Sequence, residues 1–447
     1  MSINTNISYQ DFLQQARSQV IVSPVYSDKN IAMAGPDGKI KTEQIIIPPL
    51  NANCNFSSLP SPSFSELKAK ANEKIVQIPE RWDWREHLPT IFKPFDQGNC
   101  GCCWSVAISS TISDMFNISQ TPLNQRISPT YLLSCYNTIE NQQCGGGNPS
   151  LALTWVKQNG IRFTKQLNYD WCTSNPECFK PQKVGIDPKS FNKDIPMCTE
   201  IDQKNIERRD RKKVLIFIND IICITKTLNL NQIENKKQQD YLEDFKKTAK
   251  THILYHGPVV AAYNVLDNLP MFGTTRNNLD NPDNIYLENV DYSTMTYNPS
   301  KRKALGGHAI SIVGWGVGKV NKKLLGPSTC NNINCDCDTS SMCSIPYWIV
   351  RNSWSEKWAE GGYYKHAMYP YNVISQFSST TFWGNIPAGG IILFKISNVT
   401  SENIEGFEYP VTETTCRLNK SHTYFIIGAV ILTLLVFFMY LIFYVKV

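Results

Sequence analysis

The sequence predicts an α+β fold with two subdomains, followed by a C-terminal transmembrane helix. In the first half of the chain, apolar residues recur at helical spacing from residue 103 onward. After Pro258 the sequence changes to short β-branched and aromatic runs bounded by glycine and proline, which are typical of strands. A helical half followed by a β-rich half predicts an α+β fold, in which helices and strands lie in separate subdomains. Residues 424–445 are uncharged and strongly apolar, and this stretch is long enough to span a bilayer.

Local signals predict three helices and three strands. The first helix begins at Cys103, and its apolar residues keep a helical period to about residue 115. The second begins at Pro129 with Ser128 as its cap, and the third covers residues 149–158 and ends before Gly160. The predicted strands cover residues 259–263, 308–313 and 347–351.

Composition excludes several classes of protein. Of the 447 residues, 42% are hydrophobic and 18% are charged, which excludes a disordered or collagen-like chain. The net charge of +6 is mild for this length, so we expect no nucleic-acid partner. Fifteen cysteines are unusual for a reducing cytosol and favour an oxidising compartment.

Changes in composition divide the chain into four segments. Residues 1–78 are polar and interrupted by prolines, and a short helix is predicted at residues 65–74. Tryptophans appear at residues 78–85, so we place the start of the globular domain at residue 79. That domain extends to residue 385, residues 386–422 form a stalk, and residues 423–446 form the transmembrane helix.

The strongest functional signal is the segment 97–105, which reads Gln-Gly-Asn-Cys-Gly-Cys-Cys-Trp-Ser. Cys103 lies where a glycine-containing turn enters a helix, and a helix N-terminus lowers the pKa of a thiol. A nucleophilic thiolate needs a base, and His308 at the start of a strand is the candidate. The amide oxygen of Asn352 can accept the imidazole N–H and orient the ring. Together these residues predict nucleophilic catalysis by cysteine.

In these motifs the chain resembles the papain family of cysteine peptidases, over about residues 79–385. The resemblance implies a papain-like fold with a helical left subdomain and a β-barrel-like right subdomain. It also implies that Cys103 is the nucleophile, His308 the base and Asn352 the residue that orients it, with Gln97 in the oxyanion hole. The substrate-binding residues that it implies are Gly146, Gly147, Gly307, Trp354 and Trp358. Residues 256–259, 306–310 and 346–349 are most similar to cathepsin B-like members.

The chain departs from the family pattern in three respects. Cys102 stands where the family has serine or alanine, and it could compete as a nucleophile or form a disulfide; Cys103, directly before Trp104, is the better candidate. The spacing from Cys103 to His308 exceeds the family range, which predicts loop insertions near residues 200–248 and 319–345. The stretch 172–198 contains no histidine, whereas cathepsin B uses a histidine pair there for exopeptidase activity.

The remaining cysteines suggest disulfides. The family pattern implies that Cys100 pairs with Cys144, and that Cys135 pairs with Cys172 or Cys178. The second insertion contains four further cysteines, whose spacing permits a zinc site but lacks the usual paired knuckles. We therefore favour disulfides and expect no metal. The four residues are Cys330, Cys335, Cys337 and Cys343.

The resemblance implies a cysteine endopeptidase that acts on proteins or peptides through a thioester acyl-enzyme and needs no cofactor, and the apolar tail predicts that it is anchored in a membrane. The alternative is a catalytically silent papain-like protein with a binding or structural role at a membrane. A transferase on the same scaffold would use the same residues. Residues 1–78 occupy the place of a propeptide, and a plain N-terminal extension is the other interpretation. The neutral residues near 375–377 favour an apolar or neutral P2 side chain.

The predicted tail anchor leaves the side of the membrane open. Arg417 and Lys420 precede the span and only Lys446 follows it, which weakly favours a cytoplasmic N-terminal side. The cysteine content favours the opposite side. We expect a single-pass membrane protein, on an endomembrane or on a virion whose membrane is acquired in a cytoplasm.

Overall fold

The computed structural model describes residues 30–31, 44–45, 78–87, 92–119, 126–136, 142–162, 169–179, 187–199, 212–224, 235–274, 278–298, 304–326, 337–368, 382–383, 386–387 and 391–403. The chain divides into two units, residues 1–402 and 403–447. Only residue 403 of the second unit belongs to the described part, so the following account concerns the first unit.

The described helices lie mainly in the first half of the chain. The α-helices are α1 (Trp84–His87), α2 (Cys103–Ser119), α3 (Pro129–Cys135), α4 (Pro149–Asn159), α5 (Asp170–Thr173), α6 (Pro176–Phe179), α7 (Asn235–His256) and α8 (Leu269–Phe272). Short 3-10 helices cover Gln143–Gly145, Pro188–Asp194 and Lys322–Leu324.

The strands lie mainly in the second half. They are β1 (Asn30–Ile31), β2 (Gln44–Ile45), β3 (Trp82–Asp83), β4 (Ile161–Arg162), β5 (Lys212–Ile224), β6 (Val259–Leu266), β7 (Ile285–Tyr286), β8 (Val290–Asp291), β9 (Thr296–Tyr297), β10 (Ala304–Asn321), β11 (Met342–Arg351), β12 (Tyr363–Ala367), β13 (Phe382–Trp383), β14 (Ile386–Pro387) and β15 (Ile391–Asn403).

The three helices predicted from local signals are confirmed as α2, α3 and α4. Ser128 caps α3, since its hydroxyl accepts a hydrogen bond from the Thr130 N–H at 3.1 Å. Asn148 caps α4 in the same way, through the Ser150 N–H at 3.0 Å. Gly160 ends α4 with a φ of +73°, a conformation that L-residues rarely adopt. The three predicted strands are confirmed within β6, β10 and β11.

Strand β6 separates two hydrophobic cores. Side chains alternate across a strand, so successive residues of β6 face opposite sides. Val259 and Ala261 belong to a core formed mostly by the β-rich half. Val260 and Ala262 belong to the core around α2, α3 and α4. The predicted two-subdomain α+β organisation is thereby confirmed, with a strand of the β-rich half shared between both cores.

The main sheet has nine strands in the order β4-β5-β15-β6-β10-β11-β12-β7, with β3 beside β10. Strand β10 is antiparallel to both β6 and β11. Helix α2 packs against β10, where the Thr111 and Ser311 hydroxyls are 2.8 Å apart. This packing brings the start of α2 to the strand that carries His308.

Two fold expectations need correction. Residues 214–224, which we placed in a loop insertion, lie in strand β5, and Ile216 and Ile218 are buried in the helical core. A hydrophobic run of this length suits a buried strand, and it pairs with β4 through Ile216 and Ile161. Among the described residues the strand order is open at both ends, so the expected barrel-like closure is not seen there. Strands β5 and β15 instead extend the sheet toward the helical half.

The disulfides follow the family pattern in part. The expected Cys100–Cys144 bond is present. The expected pairing of Cys135 is wrong: Cys135 bonds to Cys198, and Cys172 bonds to Cys178. These last two cysteines lie six residues apart on adjacent short helices, which leaves Cys135 to pair with the more distant Cys198. Cys337 bonds to Cys343, which removes two of the four thiols that a zinc site in the second insertion would need.

Parts of the sequence interpretation fall outside the described residues. These are the helix at residues 65–74, most of the propeptide-like segment, residues 375–377, the stalk beyond residue 403 and the membrane span at residues 423–446. Residues 386–387 and 391–403 of the predicted stalk lie in strands β14 and β15, and β15 pairs with β6 in the main sheet. Across the described ranges, no helix is long and apolar enough to cross a bilayer.

A buried ion pair links α2 to the end of β11. Arg351 NH1 lies 2.7 Å from Asp114 Oδ2, and both side chains are almost fully buried. Burial and the charge of Arg351 lower the pKa of Arg126, a half-buried guanidinium nearby. The Asp114 carboxylate therefore compensates the buried charge of Arg351 at the point where the two subdomains meet.

Replacing Asp114 by alanine should lower the free energy of unfolding by about 3–5 kcal/mol, because it leaves the buried Arg351 guanidinium uncompensated. Glu86→Ala is the control, because Glu86 forms an exposed pair with Arg81 and should cost about 1 kcal/mol or less. Urea unfolding of both variants measures the difference. Equal costs for the two substitutions would contradict the role given to the buried pair.

Candidate active site

Cys103 is the first residue of α2. The Val106 N–H donates to the Cys102 carbonyl at 3.0 Å, so Cys102 occupies the N-cap position. The N–H of Cys103 is therefore one of the amides at the helix start that have no intrahelical acceptor, and the helix dipole favours a thiolate there. Burial raises the pKa of the Cys103 thiol, and a backbone hydrogen bond from Ala309 to the sulfur acts in the opposite direction. The sulfur thus lies against the residue that follows His308.

His308 and Asn352 form a buried pair on neighbouring strands. His308 lies on β10, and Asn352 directly follows β11. The His308 Nε2 is 2.8 Å from the Asn352 Oδ1. The Ser353 N–H donates to the same Oδ1 at 2.8 Å, which fixes the orientation of the amide. Because Oδ1 accepts, the ring proton sits on Nε2, and Nδ1 keeps a lone pair for a proton from a thiol.

Trp354 covers the His308–Asn352 pair. Its ring stacks on the His308 ring at a centroid distance of 5.2 Å and an angle of 30°. Trp358 packs edge-on against Trp354 at 5.1 Å and is fully buried. Trp354 therefore shields the His308–Asn352 hydrogen bond from water, which strengthens it. Trp358 contacts Trp354 in this structure, and direct contact of Trp358 with substrate stays a prediction.

Burial shifts both reacting groups toward their neutral forms. It raises the pKa of the Cys103 thiol to about 11 and lowers the pKa of His308 to about 4. The hydrogen bond that His308 donates to Asn352 acts in the opposite direction on the pKa of His308, because it favours the imidazolium. The buried arrangement therefore holds a thiol beside a neutral imidazole. Transfer of one proton from sulfur to ring produces the ion pair without changing the net charge.

Hydrogen bonds to Ser353 and Cys100 hold Gln97 beside this pair. Its N–H donates to the Ser353 carbonyl at 3.0 Å. The Ser353 hydroxyl donates to Gln97 Oε1 at 2.5 Å, and Gln97 Nε2 donates to the Cys100 carbonyl at 2.9 Å. An amide nitrogen carries two hydrogens, so the second N–H of Gln97 remains for a substrate oxygen.

Two predicted substrate-binding glycines lie close to the nucleophile. A Cβ on Gly147 would come within 2.6 Å of the Trp104 ring, so only glycine fits there. Gly146 has a φ of +117°, which disfavours any other residue. Gly307 is buried beside His308 and pairs with Asn264 of β6. The structure thus brings the predicted residues together around α2 and β10, and their roles toward substrate stay predictions.

The sequence did not point to three other residues of this region. Ala309 and Ser353 are neighbours of His308 and Asn352, so their backbone contacts follow from the motifs only once the strands are paired. Tyr169 is different, because its hydroxyl reaches Gln97 from a segment with no catalytic motif. No local signal marks Tyr169, since its role depends on tertiary packing.

The lowered pKa of His308 predicts a loss of stability in acid. An unfolded histidine titrates near pH 6.5, whereas His308 titrates near 4 when folded. The unfolded chain therefore takes up the proton first, and His308 contributes stability above pH 6.5 that is lost as the pH falls. The loss should reach about 3 kcal/mol by pH 4.

Denaturant unfolding of the wild type and His308→Gln from pH 8 to pH 4 measures this contribution. Glutamine does not titrate, so the stability of the variant should fall less steeply with acid. Parallel pH dependences for the two proteins would contradict the assignment.

This fold and this group of side chains define a cysteine-type peptidase. The family model described as papain family cysteine protease matches residues 78–379, more than half of the chain. The chain belongs to the papain family of cysteine proteases and is a hydrolase. The prediction of a papain-like cysteine peptidase is confirmed.

Relatives of the chain include viral and nematode proteins. "Probable cysteine proteinase 024R" of Invertebrate iridescent virus 3 is 29% identical over 448 residues, which cover 89% of this chain and 83% of that protein. "Cathepsin B-like cysteine proteinase 3" of Caenorhabditis elegans is 25% identical over 305 residues, covering 67% of this chain and 65% of that protein. The solved structure of "proCathepsin B S9 from Trypanosoma congolense" is 22% identical, covers 78% of this chain and 84% of its own, and has a TM-score of 0.43.

Proposed function

We propose that Cys103, His308 and Asn352 are the catalytic residues of a membrane-anchored cysteine endopeptidase. The observation that carries this proposal is the buried His308–Asn352 hydrogen bond of 2.8 Å, on the strand whose Ala309 N–H donates to the Cys103 sulfur. This arrangement supplies a nucleophile, a base and a residue that orients the base. A catalytically inactive member of the fold would not need to retain all three residues.

The proposed reaction proceeds through a thioester. His308 Nδ1 takes the thiol proton, and the Cys103 sulfur attacks the carbonyl carbon of a peptide bond. The oxyanion accepts hydrogen bonds from the Gln97 side chain and the Cys103 N–H. His308 then donates its proton to the leaving nitrogen, which releases the amine and leaves an acyl group on Cys103. His308 next takes a proton from water, whose oxygen attacks the thioester and frees the acid and the thiol.

Endopeptidase activity is supported by the absence of histidine from residues 172–198. A histidine pair in that stretch would bind the C-terminal carboxylate of an exopeptidase substrate. Internally quenched peptides with both ends blocked test this point against peptides of the same sequence with a free C-terminal carboxylate. We expect faster cleavage of the blocked peptides. Preferential release of C-terminal dipeptides would overturn the endopeptidase assignment, and no cleavage of either class would favour the silent alternative.

Membrane anchoring is supported by the apolar sequence of residues 424–445. Alkaline extraction of membranes from cells that express the full chain, or the chain without residues 423–446, tests it. We expect the full chain to stay in the membrane pellet and the shortened chain to be released. Release of both proteins would contradict the proposed membrane anchor and would leave the proposed catalytic mechanism unaffected.

A further inference from the structure

We infer that Cys102 and Tyr169 position the Gln97 amide for its role in the oxyanion hole, an inference that rests on the proposed function. The Tyr169 hydroxyl donates to the Gln97 carbonyl at 2.7 Å. It also lies 3.0 Å from the Cys102 sulfur. A tyrosine hydroxyl has one hydrogen, which is already donated to Gln97, so the Cys102 S–H donates to the Tyr169 oxygen.

The hydrogen bonds from Cys102 to Tyr169 and from Tyr169 to Gln97 connect the residue before the nucleophile to the residue of the oxyanion hole. Cys102 directly precedes Cys103, and the Cys102 and Tyr169 side chains are 0% and 4% exposed. Burial raises the pKa of both groups, so both keep the proton that these hydrogen bonds require. The Cys102 thiol is thereby engaged as a donor to Tyr169, which argues against Cys102 as a competing nucleophile.

The Gln97 loop depends on the segment that begins with Tyr169. Gly98 has a φ of +59°, and a Cβ there would lie 2.7 Å from the Cys178 carbonyl. The Asn99 N–H donates to that same carbonyl at 2.8 Å. Tyr169 thus adds the hydrogen bond that fixes the Gln97 carbonyl, and so the peptide plane between Gln97 and Gly98. Without it, the Gln97 backbone keeps its bond to Ser353 but loses the one at its carbonyl, so the residue is held less firmly and its side chain can shift relative to the oxyanion.

A displaced oxyanion donor lowers kcat more than it raises KM, because the negative oxygen develops only in the transition state. For Tyr169→Phe we expect kcat to fall by about 10- to 100-fold, with KM changed by less than about 3-fold. Cys102→Ala should lower kcat less, by about 3- to 10-fold, because the Tyr169–Gln97 bond survives but loses its support. Cys102→Ser keeps a donor and should restore near wild-type kcat.

The control is Tyr131→Phe, which removes the hydroxyl of another tyrosine buried in the helical core.

Two inhibitor classes distinguish a displaced oxyanion donor from general damage to the active site. A peptide aldehyde forms a tetrahedral adduct whose oxygen occupies the oxyanion hole, so its affinity should fall in parallel with kcat. A peptide epoxide reports thiolate reactivity without a tetrahedral intermediate, so its rate of labelling should stay unchanged.

Equal kcat values for Tyr169→Phe and Tyr131→Phe would overturn the inference. A parallel loss of epoxide labelling would overturn it as well, because the damage would then lie at the nucleophile. If Tyr169→Phe fails to fold, the inference is tested by comparing Cys102→Ala with Cys102→Ser. Equal kcat values for these two variants would contradict the inference. A wild type that neither cleaves peptide nor reacts with epoxide would refute the proposed function, and this inference with it.

Discussion

His308→Ala should lower kcat by about 10⁴-fold or more, which is the scale seen when a member of a coupled nucleophile–base pair is removed. The buried Cys103 thiol has a pKa raised to about 11, so few molecules carry a thiolate at neutral pH without a base beside it. His308 is the proposed base, and its ring is oriented by the hydrogen bond to Asn352. Its loss also removes the acid that protonates the leaving nitrogen. Peptide hydrolysis at pH 6–8 measures the effect.

The matched control is His87→Ala, which changes an exposed histidine that stacks on Trp82. It should leave kcat within about 2-fold of the wild type, as expected for a surface substitution away from the site. Near-UV circular dichroism checks that both variants keep the native fold. Activity of His308→Ala within tenfold of the control would show that another group serves as the base.

Gln97→Ala should lower kcat by about 10²- to 10³-fold with little change in KM, which is the usual cost of losing one oxyanion donor. The side chain already donates one N–H to the Cys100 carbonyl and accepts from the Ser353 hydroxyl. Its position is therefore set before substrate arrives, which is the condition for electrostatic stabilisation of a transition state.

Two further variants separate catalysis from stability in this prediction. Gln142→Ala changes an exposed glutamine of the helical half and should leave kcat unaffected. Ser353→Ala removes a partner of Gln97 and should cost about 1–3 kcal/mol of stability, because it leaves Gln97 Oε1 unpaired. If Gln97→Ala reduces kcat only as much as Ser353→Ala does, the direct role of Gln97 toward the oxyanion is refuted.

Local signals predicted the parts of the fold that are themselves local. The start of α3 depends on Ser128 and Pro129, and the end of α4 depends on Gly160, so neighbouring residues suffice. The motifs around Cys103, His308 and Asn352 predicted which side chains to examine together, although only Cys103 and Asn352 lie at the end of an element and His308 lies inside β10. The sequence did not show how the strands that position His308 and Asn352 pair within the sheet.

The corrections all concern contacts between distant segments. Cys135 could not be paired from its spacing, because its choice of Cys198 depends on how the chain returns to α3. The apolar run within β5 could not be distinguished from other buried structures by period alone. Tyr169 was missed for the same reason, since only the folded chain brings its hydroxyl to Gln97.

The central claim is that Cys103, and not its neighbour Cys102, is the nucleophile. The most direct test is labelling of the full chain with a thiol-directed peptide epoxide under mild reductant, followed by mass spectrometric mapping of the modified cysteine. We predict a single adduct on Cys103 in the wild type and in Cys102→Ala, and no adduct in Cys103→Ala. An adduct on Cys102, or labelling that survives in Cys103→Ala, would contradict the account.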